Sequence, residues 1–211
     1  MCSGRVDPVF IFEALLSGFD GVLVLGCHPG DCHYLVGNYQ AEKVMNRVSN
    51  LLEIAGISKE RLFLDWVSAA EGVRFAQIVD SFVEKIKREG PLNGDPGILQ
   101  RLEAAKMTVA KEKIRWLMGN ERNQLEKGNV FGEKMSYPEF DALMKEAFKE
   151  EFSKSWILLS LDSKPTSAKE LAAILGLQAW KVFAYLVDLM EEGEVSIHSF
   201  EGGTPRYVWT K

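Results

Sequence analysis

The sequence predicts an α/β fold, with a small parallel-sheet domain followed by a helical linker and a C-terminal winged helix-turn-helix domain. Two apolar segments near the N-terminus, GVLVLG and RLFLDWV, are typical of buried parallel strands. Helical patterns lie before, between and after them, which is the order expected of α/β units. Near the C-terminus, three helical patterns precede two alternating segments around the turn EGGT, as in a winged helix.

The composition is that of a soluble globular protein. The 211 residues are 46% hydrophobic and 26% charged, and 25 Lys and Arg against 30 Asp and Glu give a net charge of −5. This balance, without a long block of one sign, argues against a general polyanion binder. No apolar run approaches the roughly 20 residues of a membrane-spanning helix, and no secretory signal pattern opens the chain. We therefore predict a cytoplasmic protein that does not enter a membrane.

The first domain is predicted to span residues 1–90. Its expected elements are a helix over 8–18, a strand over 21–26, a helix over 39–55, a strand over 61–67 and a helix from Ser68, as N-cap, to Glu89. The segment GPLNGDPG, residues 90–97, contains three glycines and two prolines and is predicted to end this domain.

A helical linker over residues 91–152 and a winged-helix domain over 153–211 are predicted to follow. The linker patterns indicate a helix over 98–118, an irregular stretch over 119–135, and a second helix to 152 that begins at a Ser136–Glu139 capping box. The last domain is predicted to contain a helix over 155–161, a helix that is capped by Thr166 or Ser167 and ends at Gly176, and a helix over 178–192. A hairpin of EVSIHSF and PRYVWTK is predicted to follow.

All three cysteines lie within the first 32 residues, which suggests a metal centre or redox chemistry rather than a disulfide framework. Cys27 and Cys32 occupy the loop GCHPGDCHY at the carboxyl end of the first predicted strand, where open α/β sheets place their sites. Two thiolates in such a loop can turn toward one iron, although both could instead be small, half-buried residues. His28 and His33 could ligate zinc or iron, but we favour a supporting role as hydrogen-bond donors to a cluster, or a purely structural role in the loop.

Three segments, MCSGRVDP, DGVLVLGCHPGDCHYLVGNYQA and ERLFLDWVSAAEGVRFA, closely resemble the delta subunit of methyl-viologen-reducing hydrogenase. The resemblance covers about residues 1–90. It implies a domain that holds a two-iron two-sulfur (2Fe-2S) cluster, with Cys2, Cys27 and Cys32 as candidate ligands. It also implies electron transfer from a hydrogenase or another donor subunit to a flavin-containing heterodisulfide reductase-like subunit, with no catalysis of its own.

The resemblance also implies a further Cys-x-x-Cys segment, which family members carry N-terminal to the position of Met1. Three thiolates do not complete the four-cysteine set that is usual for such a cluster. The chain is therefore expected to hold iron weakly, to use a histidine, to share ligands with a partner, or to have a translation start upstream of Met1. A structural subunit that has lost its cluster is a further alternative.

The predicted winged helix could bind DNA or protein. Residues 153–211 contain six basic and seven acidic side chains, whereas a DNA-binding module should show a basic face. The outward positions of its third helix are predicted to include Trp180, Lys181 and Phe183, side chains that favour a protein interface. A shifted helix phase would instead bury Phe183 and Val187. The main functional alternative is an iron-sulfur redox-sensing winged-helix transcription regulator.

Overall fold

The computed structural model describes residues 2–92 and 97–210. The chain divides into two compact units, Met1–Phe148 and Lys149–Lys211. The predicted domain end at residues 90–97 falls partly outside the described residues, because 93–96 are not among them. The limits inferred from the sequence near residues 90 and 152 stay predictions.

The first unit contains the predicted parallel sheet. Strands β1 and β2 pair in parallel from Val22 opposite Leu62 to Gly26 opposite Trp66, so both carboxyl ends lie at one edge. The first elements of the unit are α1 Pro8–Leu16, β1 Val22–Gly26, α2 Gly37–Ile54, β2 Leu62–Trp66 and α3 Gly72–Glu89. The mixed α/β class is thus confirmed, and α2 is the crossover that connects the two strands.

Local sequence explains where these helices begin and what they bury. Asp7 caps α1 by accepting a hydrogen bond from the Val9 N–H, and Pro8 occupies the first turn, where no backbone donor is needed. Apolar side chains at helical spacing on α1 and α2 are fully buried, namely Phe12, Leu15, Val48, Leu51 and Leu52. This core fixes α2 relative to the start of the chain.

Two more helices complete the middle of the first unit, α4 Ile98–Ala110 and α5 Glu112–Arg122. The prediction of one helix over 98–118 is wrong, because the extended backbone of Lys111 ends α4 and starts α5. The β-branched Thr108 and Val109 lower helix propensity just before this break. The irregular stretch predicted over 119–135 is also partly wrong, since α5 continues to Arg122 and a π-helical turn spans Asn123–Lys127.

Helix α6, Tyr137–Leu161, is longer than predicted. The sequence indicated one helix to residue 152 and another over 155–161, but the helix is continuous. The serines between them do not interrupt it, because the Ser153 hydroxyl donates to the Lys149 carbonyl one turn back. At its start, the predicted capping box is present, with the Ser136 N–H and hydroxyl both bonded to the Glu139 carboxylate.

The second unit continues with α7 Ala168–Leu175, α8 Ala179–Glu191 and the antiparallel hairpin β3 Val195–Glu201 and β4 Thr204–Trp209. Ser167 rather than Thr166 caps α7, in a full capping box with Glu170. Thr166 instead exchanges two backbone hydrogen bonds with Tyr207 of β4. Lys154 is buried and its ammonium contacts Asp188 and Glu192 at 3.0 and 3.3 Å, which ties the end of α6 to α8.

No single helix within residues 2–92 and 97–210 combines the length and the apolar composition needed to cross a membrane. Helices α7 and α8 have the required length and apolar composition only when they are taken together, as a pair bent by 112°.

Candidate functional site

The fold brings together the three cysteines, which we call the cysteine site. Cys27 follows β1 directly, Cys32 lies in the loop before α2, and Cys2 precedes the short 3-10 turn Ser3–Arg5. The Sγ atoms of Cys2 and Cys32 are 3.6 Å apart, and Cys27 interacts with both of these thiols. A segment 30 residues away in sequence is therefore placed against the cysteine loop.

Gly37, the first residue of α2, makes room for these thiols. A Cβ atom at this position would lie 2.2 Å from the Cys2 Sγ and 3.2 Å from the Cys32 Sγ. Gly4 is equally constrained, since a Cβ there would lie 2.5 Å from the Gly37 carbonyl oxygen. The two glycines thus allow the N-terminal segment to approach the start of α2 closely enough to place Cys2 beside Cys32.

The environment of the site shifts the pKa values of Cys32 and Cys27 in opposite directions. Burial opposes ionisation of Cys32, but backbone N–H groups of Tyr34, Asn38 and Gly37, together with the Cys2 thiol, lower its pKa to about 7. Burial raises the pKa of Cys27, and its hydrogen bond and proximity to Cys32 raise that pKa further. Near neutral pH, a substantial fraction of Cys32 is therefore present as the thiolate.

Asn38 holds the cysteine loop against α2, a role that the sequence analysis missed. Its side chain is fully buried and its amide nitrogen donates to the carbonyl oxygens of Cys27 and His28 at 3.2 and 2.7 Å. The helix was predicted to begin at Tyr39, which placed Asn38 outside it, but α2 begins at Gly37. A Gly-Asn pair immediately before a helical pattern was the available signal.

The two histidines differ in their contacts. The Nε2 atom of His28 is 2.6 Å from Glu71, whose carboxylate also accepts the Ser68 N–H at 2.6 Å. This contact joins the loops that follow β1 and β2. Ser68 does not cap α3 as predicted, because the turn through Glu71 delays the helix to Gly72. His33 is exposed, and its ring meets that of Tyr34 edge-on; the supporting role of both histidines stays a prediction.

An apolar surface borders the cysteine site. A cavity of about 470 Å³ is lined by Cys2, Gly4, Arg5, Tyr34, Gly37 and Gln40. Beside it, Leu35 is exposed and has a φ of +64°, a conformation that is unfavourable for a branched side chain. The backbone at this point is therefore held in a strained turn that presents a large apolar group to solvent.

The described residues supply soft donors but not a finished metal site. Among residues 2–92 and 97–210, no three Cys, His, Asp or Glu side chains are arranged to hold a metal ion together. Three adjacent thiols, one of them with a lowered pKa and two packed over a glycine, nevertheless match the donor type that iron-sulfur centres require. The donor set thus fits such a group in chemistry, and three thiols are one fewer than the four that such a cluster usually takes.

A second polar cluster on α2 was missed by the sequence analysis. The Arg47 guanidinium is 2% exposed; it bonds both carboxylate oxygens of Glu121, at 3.0 and 3.2 Å, and Asp141 at 2.6 Å. Burial alone would lower the pKa of Arg47, but these carboxylates raise it. We call these three residues the arginine network. Its sequence signal is an arginine in the apolar stripe formed with Val44 and Leu51.

The third helix of the C-terminal unit exposes the predicted side chains. Trp180 and Phe183 are 68% and 51% exposed, and Val187 is also exposed. The alternative helix phase, with Phe183 and Val187 in the core, is therefore wrong. Lys181 lies over the ring of Tyr185, 5.8 Å from its centroid.

Comparison with known proteins identifies the N-terminal segment. The family described as methyl-viologen-reducing hydrogenase, delta subunit, matches residues 1–90. The iron-sulfur protein of the vhu F420-non-reducing hydrogenase of Methanopyrus kandleri is 37% identical over 91 residues, which are 43% of this chain and 69% of that protein. This chain belongs to the methyl-viologen-reducing hydrogenase delta subunit family.

Other relatives show how far the likeness to this family extends. The iron-sulfur protein of the F420-non-reducing hydrogenase of Archaeoglobus profundus is 50% identical over 90 residues, which are 43% of this chain and 66% of the relative. One component of the ferredoxin/F420H2-dependent CoB-CoM heterodisulfide reductase of Methanosarcina acetivorans is 43% identical over 95 residues, 45% of this chain but 12% of that protein. The chain thus spans just under two thirds of the Archaeoglobus protein, and the likeness lies in its own N-terminal part.

Proposed function

We propose that the N-terminal segment, residues 1–90, is an electron-transfer module in which Cys2, Cys27 and Cys32 bind a 2Fe-2S cluster. The observation that carries this proposal is the Cys2–Cys32 pair, packed over Gly37 with its sulfurs 3.6 Å apart. Two thiolates bound tetrahedrally to one metal through bonds of about 2.3 Å lie roughly 3.8 Å apart. The observed separation therefore suits two ligands of the same iron.

The chain's own groups would hold and tune this centre. Backbone N–H groups at the start of α2 stabilise negative charge on the Cys32 sulfur, as expected at a helix N-terminus. Asn38 fixes the backbone of Cys27, so that the loop does not have to reorganise when charge changes. A bound 2Fe-2S cluster would accept and release single electrons.

The partners we propose are a hydrogenase or another electron-donor subunit and a flavin-containing heterodisulfide reductase-like subunit. The names of the relatives from Archaeoglobus profundus and Methanosarcina acetivorans support this pair of complexes. The exposed apolar side chains of Tyr34, Leu35 and Tyr39 beside the cysteine site also support it, since they would let a partner approach the thiols closely.

For the second unit we propose a winged helix that binds a partner protein through Trp180, Lys181 and Phe183. The backbone pairing of Thr166 with Tyr207 supports the winged-helix assignment, because it adds a short third strand to the hairpin. The charge of Arg206 on the hairpin is paired with Glu170 and Glu201, which leaves it poorly placed to neutralise phosphates. This pairing favours protein over nucleic acid and disfavours the transcription-regulator alternative.

The test is the metal content of protein isolated without oxygen from its own cells, together with any subunits bound to it. We expect about two irons and two acid-labile sulfides per chain and a rhombic electron paramagnetic resonance (EPR) signal after dithionite reduction. Both should be lost in Cys27→Ser and Cys32→Ser, while Ser17→Ala, which changes an exposed serine at the end of α1, should retain them. A protein without iron, or variants that keep the full signal, would overturn the proposal.

A further inference from the structure

The hydroxyl of Ser3 is buried and has no hydrogen-bond partner among the described residues. Ser3 directly follows Cys2. In space it lies against Gly26, where an added Cβ would come within 2.6 Å of the Ser3 Oγ and 2.6 Å of the Trp66 ring. Ser3 therefore follows Cys2 in the chain and lies against the residue that precedes Cys27.

Two backbone carbonyls close to Ser3 in sequence or in space each already accept one hydrogen bond. The Gly26 carbonyl accepts the N–H of Val67 at 2.8 Å, and the Cys2 carbonyl accepts the N–H of Arg5 at 2.9 Å. Buried hydroxyl groups almost always have a partner, since leaving one unpaired forfeits its hydrogen bonds to water. No thiol of the described residues lies within hydrogen-bond distance of the Ser3 hydroxyl either. The sulfurs of a cluster held between Cys2 and Cys27 would supply acceptors beside it.

We propose that Ser3 donates a hydrogen bond to a sulfur of the bound cluster or of its cysteine ligands, and that this bond raises the reduction potential. The inference rests on the proposed function and deepens it by naming a tuning residue. Reduction adds one negative charge, which is spread over the sulfurs. A hydroxyl directed at one of them stabilises the reduced form more than the oxidised form.

The neighbourhood of Ser3 supports a tuning role over a packing role. Trp66 and Gly26 shield the hydroxyl from water, and in a shielded site a donor interacts strongly with charge. The absence of a Cβ at Gly26 lets the hydroxyl approach β1 where the strand leads into Cys27. Ser3 would therefore act where β1 leads into Cys27, whereas the N–H groups of α2 act on Cys32.

The test compares Ser3→Ala with the wild type by redox titration of the EPR signal. We expect the ratio of reduced to oxidised cluster at a fixed solution potential to fall about tenfold, equivalent to a potential lower by ~59 mV for a one-electron couple. In pulsed EPR, an exchangeable proton coupled to the reduced cluster should disappear from Ser3→Ala. Ser17→Ala, which removes a serine hydroxyl bonded to the Glu13 carbonyl, should change neither measurement.

The outcomes separate this inference from the proposed function. A wild type without a cluster contradicts the proposed function itself. A wild type with a cluster, together with an unchanged potential and unchanged proton coupling in Ser3→Ala, overturns the role of Ser3 alone. If Ser3→Ala holds too little cluster to titrate, Ser3→Thr, which keeps the hydroxyl, is expected to retain the proton coupling, and its loss there would also overturn the inference.

Discussion

Helix α2 carries two polar clusters of opposite character, the cysteine site at its first turn and the arginine network further along. In the arginine network, three hydrogen bonds and two carboxylates surround one buried cation. At the cysteine site, three thiols lie together and the Ser3 hydroxyl has no partner among the described residues. A buried polar group whose hydrogen bonds are all made within the chain, such as the Arg47 guanidinium, stabilises the fold. A shielded group without a partner, such as the Ser3 hydroxyl, is available to a ligand.

The largest effect is expected from breaking the saturated cluster. Arg47→Met leaves the carboxylate of Glu121 buried without its counter-charge, and we expect it to lower the free energy of unfolding by about 3–5 kcal/mol. Chemical denaturation followed by circular dichroism measures this loss. Lys59→Met, which breaks the exposed Lys59–Glu53 pair, is the control and should cost less than about 1 kcal/mol.

A double variant distinguishes charge from packing. In Arg47→Met with Glu121→Leu, the unpaired buried charge is gone, so most of the stability should return. If the double variant is as unstable as Arg47→Met alone, the loss comes from packing and the interpretation of the network as an ionic one is wrong.

The second largest effect is expected from filling the space between Gly37 and the sulfurs of Cys2 and Cys32. Gly37→Ala places a methyl group against the sulfurs of Cys2 and Cys32, so we expect the iron content of the isolated protein to fall about tenfold. Gly72→Ala is a matched control, because Gly72 also begins an 18-residue helix and a Cβ there would meet nothing within 4 Å. Equal iron content in both variants would show that the space over Gly37 has no role in metal binding.

A smaller effect is the pH dependence of the arginine network. Hydrogen bonds from Lys145 and, secondly, from Arg47 oppose the effect of burial and lower the pKa of Asp141 below its ordinary value of 3.8. Its stabilising contribution is therefore complete above the unfolded-state pKa and is lost as the pH falls through the folded-state pKa. The stability difference between wild type and Asp141→Asn should be constant from about pH 7 to 5 and should shrink below about pH 4. A difference that grows on acidification would contradict this assignment.

The smallest effect on stability is expected at the exposed face of α8. Trp180→Ala should change the free energy of unfolding by no more than about 0.5 kcal/mol, because the side chain is 68% exposed. It should nevertheless weaken co-purification with the partner subunit. Leu186→Ala, in the buried face of the same helix, should cost about 2–5 kcal/mol. A destabilisation at Trp180 as large as that at Leu186 would place Trp180 in a packed core.

The sequence predicted most elements wherever glycines, caps or alternation mark a boundary. In the structure, β1 ends at Gly26, α6 begins directly after Ser136, and the EGGT turn joins β3 to β4, as predicted. Two failures lie where no such residue stands: the break at Lys111 has an ordinary side chain in an extended backbone, and Ser153 fits inside a helix by bonding back to the Lys149 carbonyl. The predicted cap at Ser68 failed because the turn through Glu71 delays α3 to Gly72. Such choices are made by tertiary packing rather than by local preference.

The candidate site was predictable in its donors but not in its surroundings. Cys27 and Cys32 are recognisable from their spacing, and Cys2 only through the family resemblance. The functions assigned to Gly37, Asn38 and Ser3 depend on which segments meet in space, and these residue types are common in any loop. Arg47 was missed because one charged side chain on an amphipathic helix ordinarily faces solvent.

The arginine network limits how the N-terminal segment can be transplanted. Arg47 lies inside the segment shared with the hydrogenase family, whereas its partners Glu121 and Asp141 lie beyond residue 90. A chain that ended at residue 90 would keep all three cysteines. It would leave the Arg47 guanidinium without its two carboxylate partners, and it would expose the face of α1 that packs on α4. To carry the cysteine site alone into another protein, Arg47 would first have to be exchanged for an uncharged side chain.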